Sequence, residues 1–567
     1  MARTVGIGIQ SFEKIIENNC LYIDKTDFIR EWWESGDDVT LITRPRRFGK
    51  TLNMNMTERF FSVEYAGRGQ VFEGLSIWKH EEYRKLQGTW PVIMLSFAGV
   101  KETTYQSALK KLCYTITELY NRYDFLLDGG TLNEKEKEFY QKVTYDMEPH
   151  TATEALRAMS GFLMRYYGKK VIILLDEYDT PMQEAYVHGY WEELVQFTRS
   201  MFNATFKTNP YLERAAMTGI TRVSRESMFS DLNNLNVVTV TSEEYRESFG
   251  FTEEEVFAVL DEFGMSDRKE EVKKWYDGFV FGNSQDIYNP WSILNYLSKK
   301  KAAAYWANTS SNSLVDKLVR EGSPEIKMVM EELLRGGTLH TVLDEHIVFN
   351  RLDQEDEAVW SLLLAGGYLK AVHSELNVDR MEMEYDLTLT NLEVYFMFLQ
   401  MIRGWFRGCR GMQNAFLKAL LRDDLEEMNE YMNAISCEVF SSFDTGKKPS
   451  DKTQPERFYH GFVLGLLAEL LDRYVVTSNR ESGFGRYDIM LEPKEKGQDA
   501  FIIEFKVARA ARGETLEDAV RSALKQIEEM KYETTLRSRG IEPGRVRKYG
   551  FAFEGKKVLI GEGHASI

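Results

Sequence analysis

Runs of apolar residues that close on polar ones recur along this chain, and their periods assign its elements. The stretch DDVTLIT places Val39, Leu41 and Ile42 in a short β-prone run, and KTLNMNMTERFF after Gly49 has the spacing of an amphipathic helix. In KKVIILLDEYDTP the apolar run is unbroken from Val171 to Leu175, as in a strand buried on both faces of a parallel sheet. Asp176 and Glu177 stand at its carboxyl end, where α/β sheets place their chemistry. A third strand-like run, YLERAAMTGITRVSRESMF, turns polar around Thr218. FGFTEEEVFAVL opens a helix, with Thr252 and Glu255 at capping-box spacing behind Phe251. The aromatic-rich WYDGFVFGNSQDIYNPWSILNYL reads as core packing around a helix pair. Residues 300 to 390 mix helices with short strands, and NLEVYFMFLQMIRGWF through LLRDDLEEMNEYMNAI is helical by period. SSFDTGKKPSDKTQPE is the best linker, polar and rich in turn residues.

Towards the end, GRYDIMLEPKEKGQDAFIIEFKVAR contains two strand-like runs, Arg486 to Leu491 and Ala500 to Val507, joined by a charged turn. Folded as a hairpin about Lys496, they set Asp488 beside Glu504, and the period of two puts Glu504 and Lys506 on one face. The next segment, TLEDAVRSALKQIEEMKY, carries an apolar stripe of Leu516, Val520, Ala523, Ile527 and Met530, with Gln526 at its border, within reach of the acidic pair.

A length of 567 residues exceeds what one hydrophobic core serves, and at roughly 150 residues per domain it implies three or four domains. No apolar run reaches the ~18 residues of a membrane span, and no secretory signal is visible, so the expected location is the cytoplasm, with no membrane partner. The four cysteines form no Cys-x-x-Cys pair and the eight histidines no His-Glu-x-x-His, which leaves oxygen as the expected metal ligand. A net charge of −17 argues against nonspecific coating of nucleic acid. The charge is uneven: from Pro455 onward 19 Lys and Arg meet 18 Asp and Glu, so that segment is +1 and the rest −18.

These elements locate two sites. TRPRRFGKTLNMN, between the first strand and its helix, ends in Gly-Lys-Thr but carries Arg44 where a phosphate-binding loop ordinarily has its first glycine. Strand, turn and helix surround phosphates with backbone N–H groups, and Lys50 and Thr51 suit the outer phosphates and a magnesium ion. Arg46, Arg47, Phe48, Gly49, Lys50, Thr51 and Leu52 are therefore the candidate ATP-binding loop, with Arg46 and Arg47 adding positive charge. Asp176 would hold Mg²⁺ through water, and Glu177 would orient the attacking water. The structural alternative, that Asp179 or Thr180 merely caps a helix opening at Pro181, suits those two residues but leaves the adjacent carboxylates unexplained. Thr218 is the candidate reader of the γ-phosphate, with Arg222 or Arg225 as a cationic finger. At the second site, Asp488 and Glu504 would bind Mg²⁺ and Lys506 would position the nucleophile or neutralise charge, a set suited to phosphodiester cleavage. Arg537, Arg539, Arg545, Arg547 and Lys548 form a basic run that could meet phosphates, or simply a solvated surface.

FEKIIENNCLYIDKTDFI, RPRRFGKTL, LLDEYDTP, TGITRVSRESMFSDLNNL, WYDGFVFG and YNPWSILNYL, in that order, resemble the predicted AAA-ATPase-like family of bacterial proteins. That family carries Arg-Pro-Arg-Arg-Phe-Gly-Lys-Thr/Ser as its own phosphate loop, so the resemblance makes the missing glycine a family trait. FYHGFVLGLLAELL, SNRESGFGRYDI and IIEFK resemble the PD-(D/E)XK nuclease superfamily, with Tyr487-Asp488 in place of Pro-Asp and with Gln526 as a further site residue. An additional acidic ligand would be Glu469 or Glu481. The resemblance implies an α/β P-loop NTPase of AAA-like type, over 1–245, with a helical lid over 246–300, a connector over 301–450 and a nuclease-like α/β domain over 455–567. The expected cofactors are ATP and Mg²⁺, the expected partner DNA or RNA, and a homo-oligomer is compatible with both. The expected activity is an ATPase whose nucleotide state controls nucleic-acid cleavage; the rival expectation is a nucleotide-switched protein that binds a partner without cutting.

Overall fold

The computed structural model describes residues 3–563 apart from 129, 223–228, 230–231, 307–312, 322, 335, 344–351, 353–355, 379, 406–409, 444–462, 464–465, 471, 483–484, 496, 509–513 and 555–556. The chain forms two compact units, one of Met1–Leu318 with Gly336–Tyr395, the other of Val319–Arg335 with Phe396–Ile567. Among the described residues no helix is long and apolar enough to cross a membrane.

In the first unit β1 (Val39–Thr43), β2 (Val92–Ser96), β3 (Val171–Asp176), β4 (Leu212–Gly219) and β5 (Leu235–Val238) make a parallel sheet in the order β2-β3-β4-β1-β5. Every residue of β1 and β3 is buried, which explains the unbroken apolar run of β3: helices cover both faces of a parallel sheet. The strand inserted between β1 and β3 is β4, so the carboxyl ends of the three lie side by side: Thr43 is level with Gly219, and Leu175 with Met217.

The lid contains the helices Glu253–Glu262, Lys269–Tyr276 and Pro290–Lys299, and the first is closed by the capping box of Thr252 and Glu255. Tyr276, Tyr288, Ile293 and Tyr296 do pack in its core. The aromatic stretch is more than a helix pair, however. Phe279–Phe281 (β7) and Ser284–Tyr288 (β8) form a hairpin that, with β6 (Phe251–Thr252), makes a three-stranded sheet. A second small sheet follows, from β9 (Leu339–Val342), β10 (Leu369–Asn377) and β11 (Glu382–Leu389).

The second unit centres on a mixed sheet of β12 (Tyr474–Ser482), β13 (Gly485–Pro493), β14 (Ala500–Val507), β15 (Val546–Glu554) and β16 (Lys557–Gly563), in chain order. One face, with Ile489, Leu491, Ile503 and Phe551, is covered by Phe416, Leu420, Met428 and Met432 of the helices Arg410–Arg422 and Leu425–Phe443. Ala500 and Ile502, on the other face, meet Ile527 of the helix Leu516–Glu529 and the nearby Tyr532. The segment 301–450 is thus divided: its last two helices cover one face of the second unit's sheet, because an apolar sheet face left uncovered would be exposed to water. The linker stretch around 444–456 lies outside the described residues.

Candidate functional site

The phosphate loop follows β1 directly. Its left-handed residues are Arg47 (φ 66°) and Gly49 (φ 83°), whereas Arg44 has no positive φ and so needs no glycine. Arg44 is wholly buried, and its guanidinium donates to the carbonyls of Thr43 (2.9 Å), Thr239 (2.5 Å) and Glu244 (3.0 Å). Burial pushes its pKa down to about 9. In place of a glycine the loop therefore has a rivet that ties the end of β1 to the chain after β5. Gly49 begins the helix Lys50–Phe61, whose first amides point into the loop. The Lys50 ammonium, almost fully buried, donates to the carbonyls of Arg44 and Pro45 at 2.8 Å each. Burial lowers its pKa, and Glu177, Asp179 and Asp176 oppose that shift. An ammonium buried against neutral carbonyls is poorly solvated, an arrangement suited to an anion.

Three segments of the sequence meet at Asp176. Thr51 Oγ1 donates to Asp176 Oδ2 at 2.7 Å and Thr218 Oγ1 to Oδ1 at 2.6 Å, and the carboxyl is fully buried. Burial raises its pKa, while the two hydroxyl donors pull the other way. Glu177 has φ 50°, a conformation that non-glycine residues adopt at a cost, and it turns its carboxylate to accept from Thr180 Oγ1 at 3.2 Å. The Glu177 amide donates to Thr218 Oγ1 at 3.3 Å. The Asp176 carboxylate and the Thr51 hydroxyl beside it are hard oxygens, which fits a divalent cation.

Asp179 does not cap its helix. Its α-region backbone (φ −90°, ψ −8°) gives no capping hydrogen bond to the helix Thr180–His188. Asp179 Oδ2 instead accepts from Ile220 N, Thr221 N and Thr221 Oγ1, each at 2.9 Å, and from Gln183 Nε2 at 3.0 Å. Tyr178 OH adds a bond to the Thr221 carbonyl at 2.7 Å. A Cβ on Gly219 would lie 2.6 Å from the Tyr178 ring and 2.8 Å from Asp179 Oδ1, so only glycine permits this clamp. Tyr178, Asp179, Gly219 and Thr221 are site-forming residues that periodicity does not reveal; the signal is the pair of motifs DEYD and TGIT. Arg222 follows the clamp and is partly buried, whereas Arg225 lies outside the described residues.

The lid also reaches the loop. Phe48 is buried between Phe279 (ring centroids 4.8 Å apart) and Phe281 (5.3 Å) of the β7–β8 hairpin. Its side chain therefore packs the loop against that hairpin. Asn289, which caps the helix Pro290–Lys299, also donates to the Arg46 carbonyl at 3.3 Å. The Arg47 guanidinium lies 4.5 Å over Trp291. Leu52 is half-buried in the helix after Thr51.

In the second unit β13 and β14 pair with Ile489 opposite Ile503 and Leu491 opposite Phe501. One more step sets Asp488 across from Glu504. Phe505 N donates to Asp488 Oδ2 at 2.7 Å, and Asp488 N to Glu504 Oε2 at 3.3 Å. Lys506 Nζ is 3.7 Å from Glu504 Oε1, and Gln526 Nε2 donates to that same oxygen from the neighbouring helix. Gln526 also bonds Tyr532 OH at 3.0 Å. Glu504 is buried and Asp488 half-buried, a pair of hard oxygen donors that fits a divalent ion. Lys496 and the Glu481 side chain lie outside the described residues, and Glu469 is half-buried in a short turn. The basic run is already engaged: Arg537 with Glu533, Arg539 with Glu492, Arg545 with the Gly497 carbonyl, Arg547 with Asp423 and Asp499, and Lys548 with Glu528 and Glu533.

Comparison with known proteins agrees with this division. Residues 6–229 match the family described as predicted AAA-ATPase, and residues 454–563 match the PD-(D/E)XK nuclease superfamily. A protein of Azotobacter chroococcum mcd 1, named as uncharacterised and lying in the vnfD 5′ region, is 29% identical over 355 residues. The match covers 60% of this chain and 62% of that protein, so the chain spans less than two thirds of its relative's length.

Proposed function

Starting from a chain that joins a region of the predicted AAA-ATPase family to one of the PD-(D/E)XK nuclease superfamily, we propose that it hydrolyses ATP with Mg²⁺ and that nucleotide state governs Mg²⁺-dependent cleavage of nucleic acid at Asp488, Glu504 and Lys506. The observation that carries the first half is the convergence on Asp176 of Thr51 from the phosphate loop and Thr218 from β4. A divalent ion held by Thr51 and, through water, by Asp176 would neutralise the charge of the outer phosphates. Lys50 binds the β- and γ-phosphates, the helix N-terminus holds their oxygens, Glu177 orients and polarises the attacking water, and Thr218 positions Asp176. At the second site Lys506 neutralises developing charge, and Gln526 fixes the rotamer of Glu504. Phosphate release from ATP by the full chain, compared between wild type and Lys50→Ala, tests the first half; equal turnover would remove the loop assignment.

A second reading keeps the ATPase and makes the C-terminal domain a partner-binding module. The engaged basic run favours it, since cations already paired with carboxylates are poor phosphate contacts. Labelled DNA or RNA that shifts intact, without products, would support this reading.

A further inference from the structure

The small sheet of β9, β10 and β11 leaves a strand open. Its order is β10-β11-β9, so β10 pairs with β11 on one side and, among the described residues, with no strand on the other. At its start Lys370 lies against Gly278, beside β7. From Val372 to Leu376 every residue is exposed. Val372 and Leu376 are 51% and 50% exposed, and Val378 and Met381, at the hairpin tip, 72% and 78%. The register with β11 shifts once, at Val372, and is regular from His373 to Asn377. An exposed edge of this kind is a template for another strand, and lysine or proline commonly blocks it. The stretch 372–376, Val-His-Ser-Glu-Leu, has neither.

We propose that this edge pairs antiparallel with the same edge of a second copy of the chain, about a two-fold axis through Ser374, and so joins two three-stranded sheets into one. The surface lies apart from both candidate sites, and the inference needs neither activity.

The side chains set the register. Opposed residues of an antiparallel pair share a face, and faces alternate along a strand, so in a symmetric pair some residue must oppose its own copy. Centred on Ser374, the pairing sets His373 opposite Glu375 of the second copy and Val372 opposite Leu376 of the second copy. Symmetry then repeats both pairs. Centred on His373, it would oppose Glu375 to Ala371 and Leu376 to Lys370. Centred on Glu375, it would oppose the two glutamates to each other and His373 to Asn377. Of these three centres, Ser374 alone matches imidazole with carboxylate and apolar with apolar. His373 Nε2 stands 3.8 Å from Glu375 Oε2 of its own strand, beyond hydrogen-bond range, which leaves that pair able to bond to an opposing strand. The register shift at Val372 limits the pairing to a short segment. So small a surface belongs to the weak class of interfaces, and the dimer depends on concentration.

The test is sedimentation velocity of the full chain over about a hundredfold range of concentration. Wild type should show a reversible monomer–dimer equilibrium with no larger species, because a two-fold interface closes on itself. Leu376→Lys should raise the dissociation constant about tenfold or more, since two apolar pairs are lost. His373→Glu sets carboxylate against carboxylate and should raise it likewise. Adding Glu375→Lys to His373→Glu restores opposite charges and should return the constant to within about threefold of wild type. Ser374→Cys should give an interchain disulfide on mild oxidation, because the residue opposes its own copy at a separation a disulfide spans, and Asn377→Cys should not. A monomer at every concentration overturns the inference. So does a dimer unmoved by Leu376→Lys and His373→Glu, a double variant as dissociated as His373→Glu alone, or a cross-link as strong at residue 377 as at 374.

Discussion

Asp176 reaches its partners across a parallel sheet, from residues 125 and 42 positions away, whereas Asp488 and Glu504 meet across one antiparallel strand pair, 16 positions apart. At the first centre the Asp176 carboxyl is fully buried and bonded by two neutral hydroxyls. At the second Asp488 is only half-buried, and Lys506 lies directly against Glu504. A site assembled from distant segments exists only when the whole sheet has formed, so its substrate-binding and structural bonds are shared. A site made by a hairpin keeps its geometry in its own register, and its side chains can be altered with little cost to the fold.

That contrast can be broken most sharply at Lys50. Lys50→Ala should lower ATP turnover by roughly a thousandfold, read by phosphate release, because the outer phosphates lose their cation. Glu504→Ala combined with Lys506→Ala should remove Mg²⁺-dependent cutting of labelled DNA by a similar factor and leave ATP turnover and the melting curve close to wild type. Asp179→Ala should do the reverse of a local change. It strands the Ile220 and Thr221 amides, the Thr221 hydroxyl and Gln183, at a cost of about 4 kcal/mol, seen as a lower thermal midpoint of the first unit. Phe48→Ala should cost about 3 kcal/mol by emptying the space between Phe279 and Phe281, and should loosen the lid.

The smallest effect concerns Asp277 in the lid. Burial first, then Asp286 and Glu253, raise its pKa to about 6 against the opposing charge of Lys273. The stability this group contributes is full below about pH 4, the value in the unfolded chain, and is lost as pH rises through 6. Asp277→Asn should therefore match wild type near pH 4 and melt higher at pH 7.5. The difference should stay under about 1 kcal/mol, because the group is only partly buried and solvent screens it.

The hairpin site was almost wholly legible. A period of two fixes both which residues share a face and which oppose one another, and the observed register is the one that Asp488 beside Glu504 requires. The apolar stripe of the following helix likewise set Gln526 at the border of the packed face. The parallel sheet was legible as strands and not as a site. An Arg44 in the glycine position makes sense only once Thr239 and Glu244, nearly 200 residues away, bring their carbonyls to it. Asp179 looked like a helix cap because capping is judged from neighbours, while its four partners include two residues on another strand's end. The β7–β8 hairpin stayed hidden in an aromatic stretch because its aromatic residues split between the lid core and Phe48.

The most direct test of the proposed function is to incubate the full chain with labelled DNA and RNA and Mg²⁺, with and without ATP, beside its Glu504→Ala and Lys50→Ala variants. The account predicts Mg²⁺-dependent products that vanish in Glu504→Ala, and a response to ATP that vanishes in Lys50→Ala. A shifted but intact band in every lane, or products unchanged by ATP and by both substitutions, would contradict it.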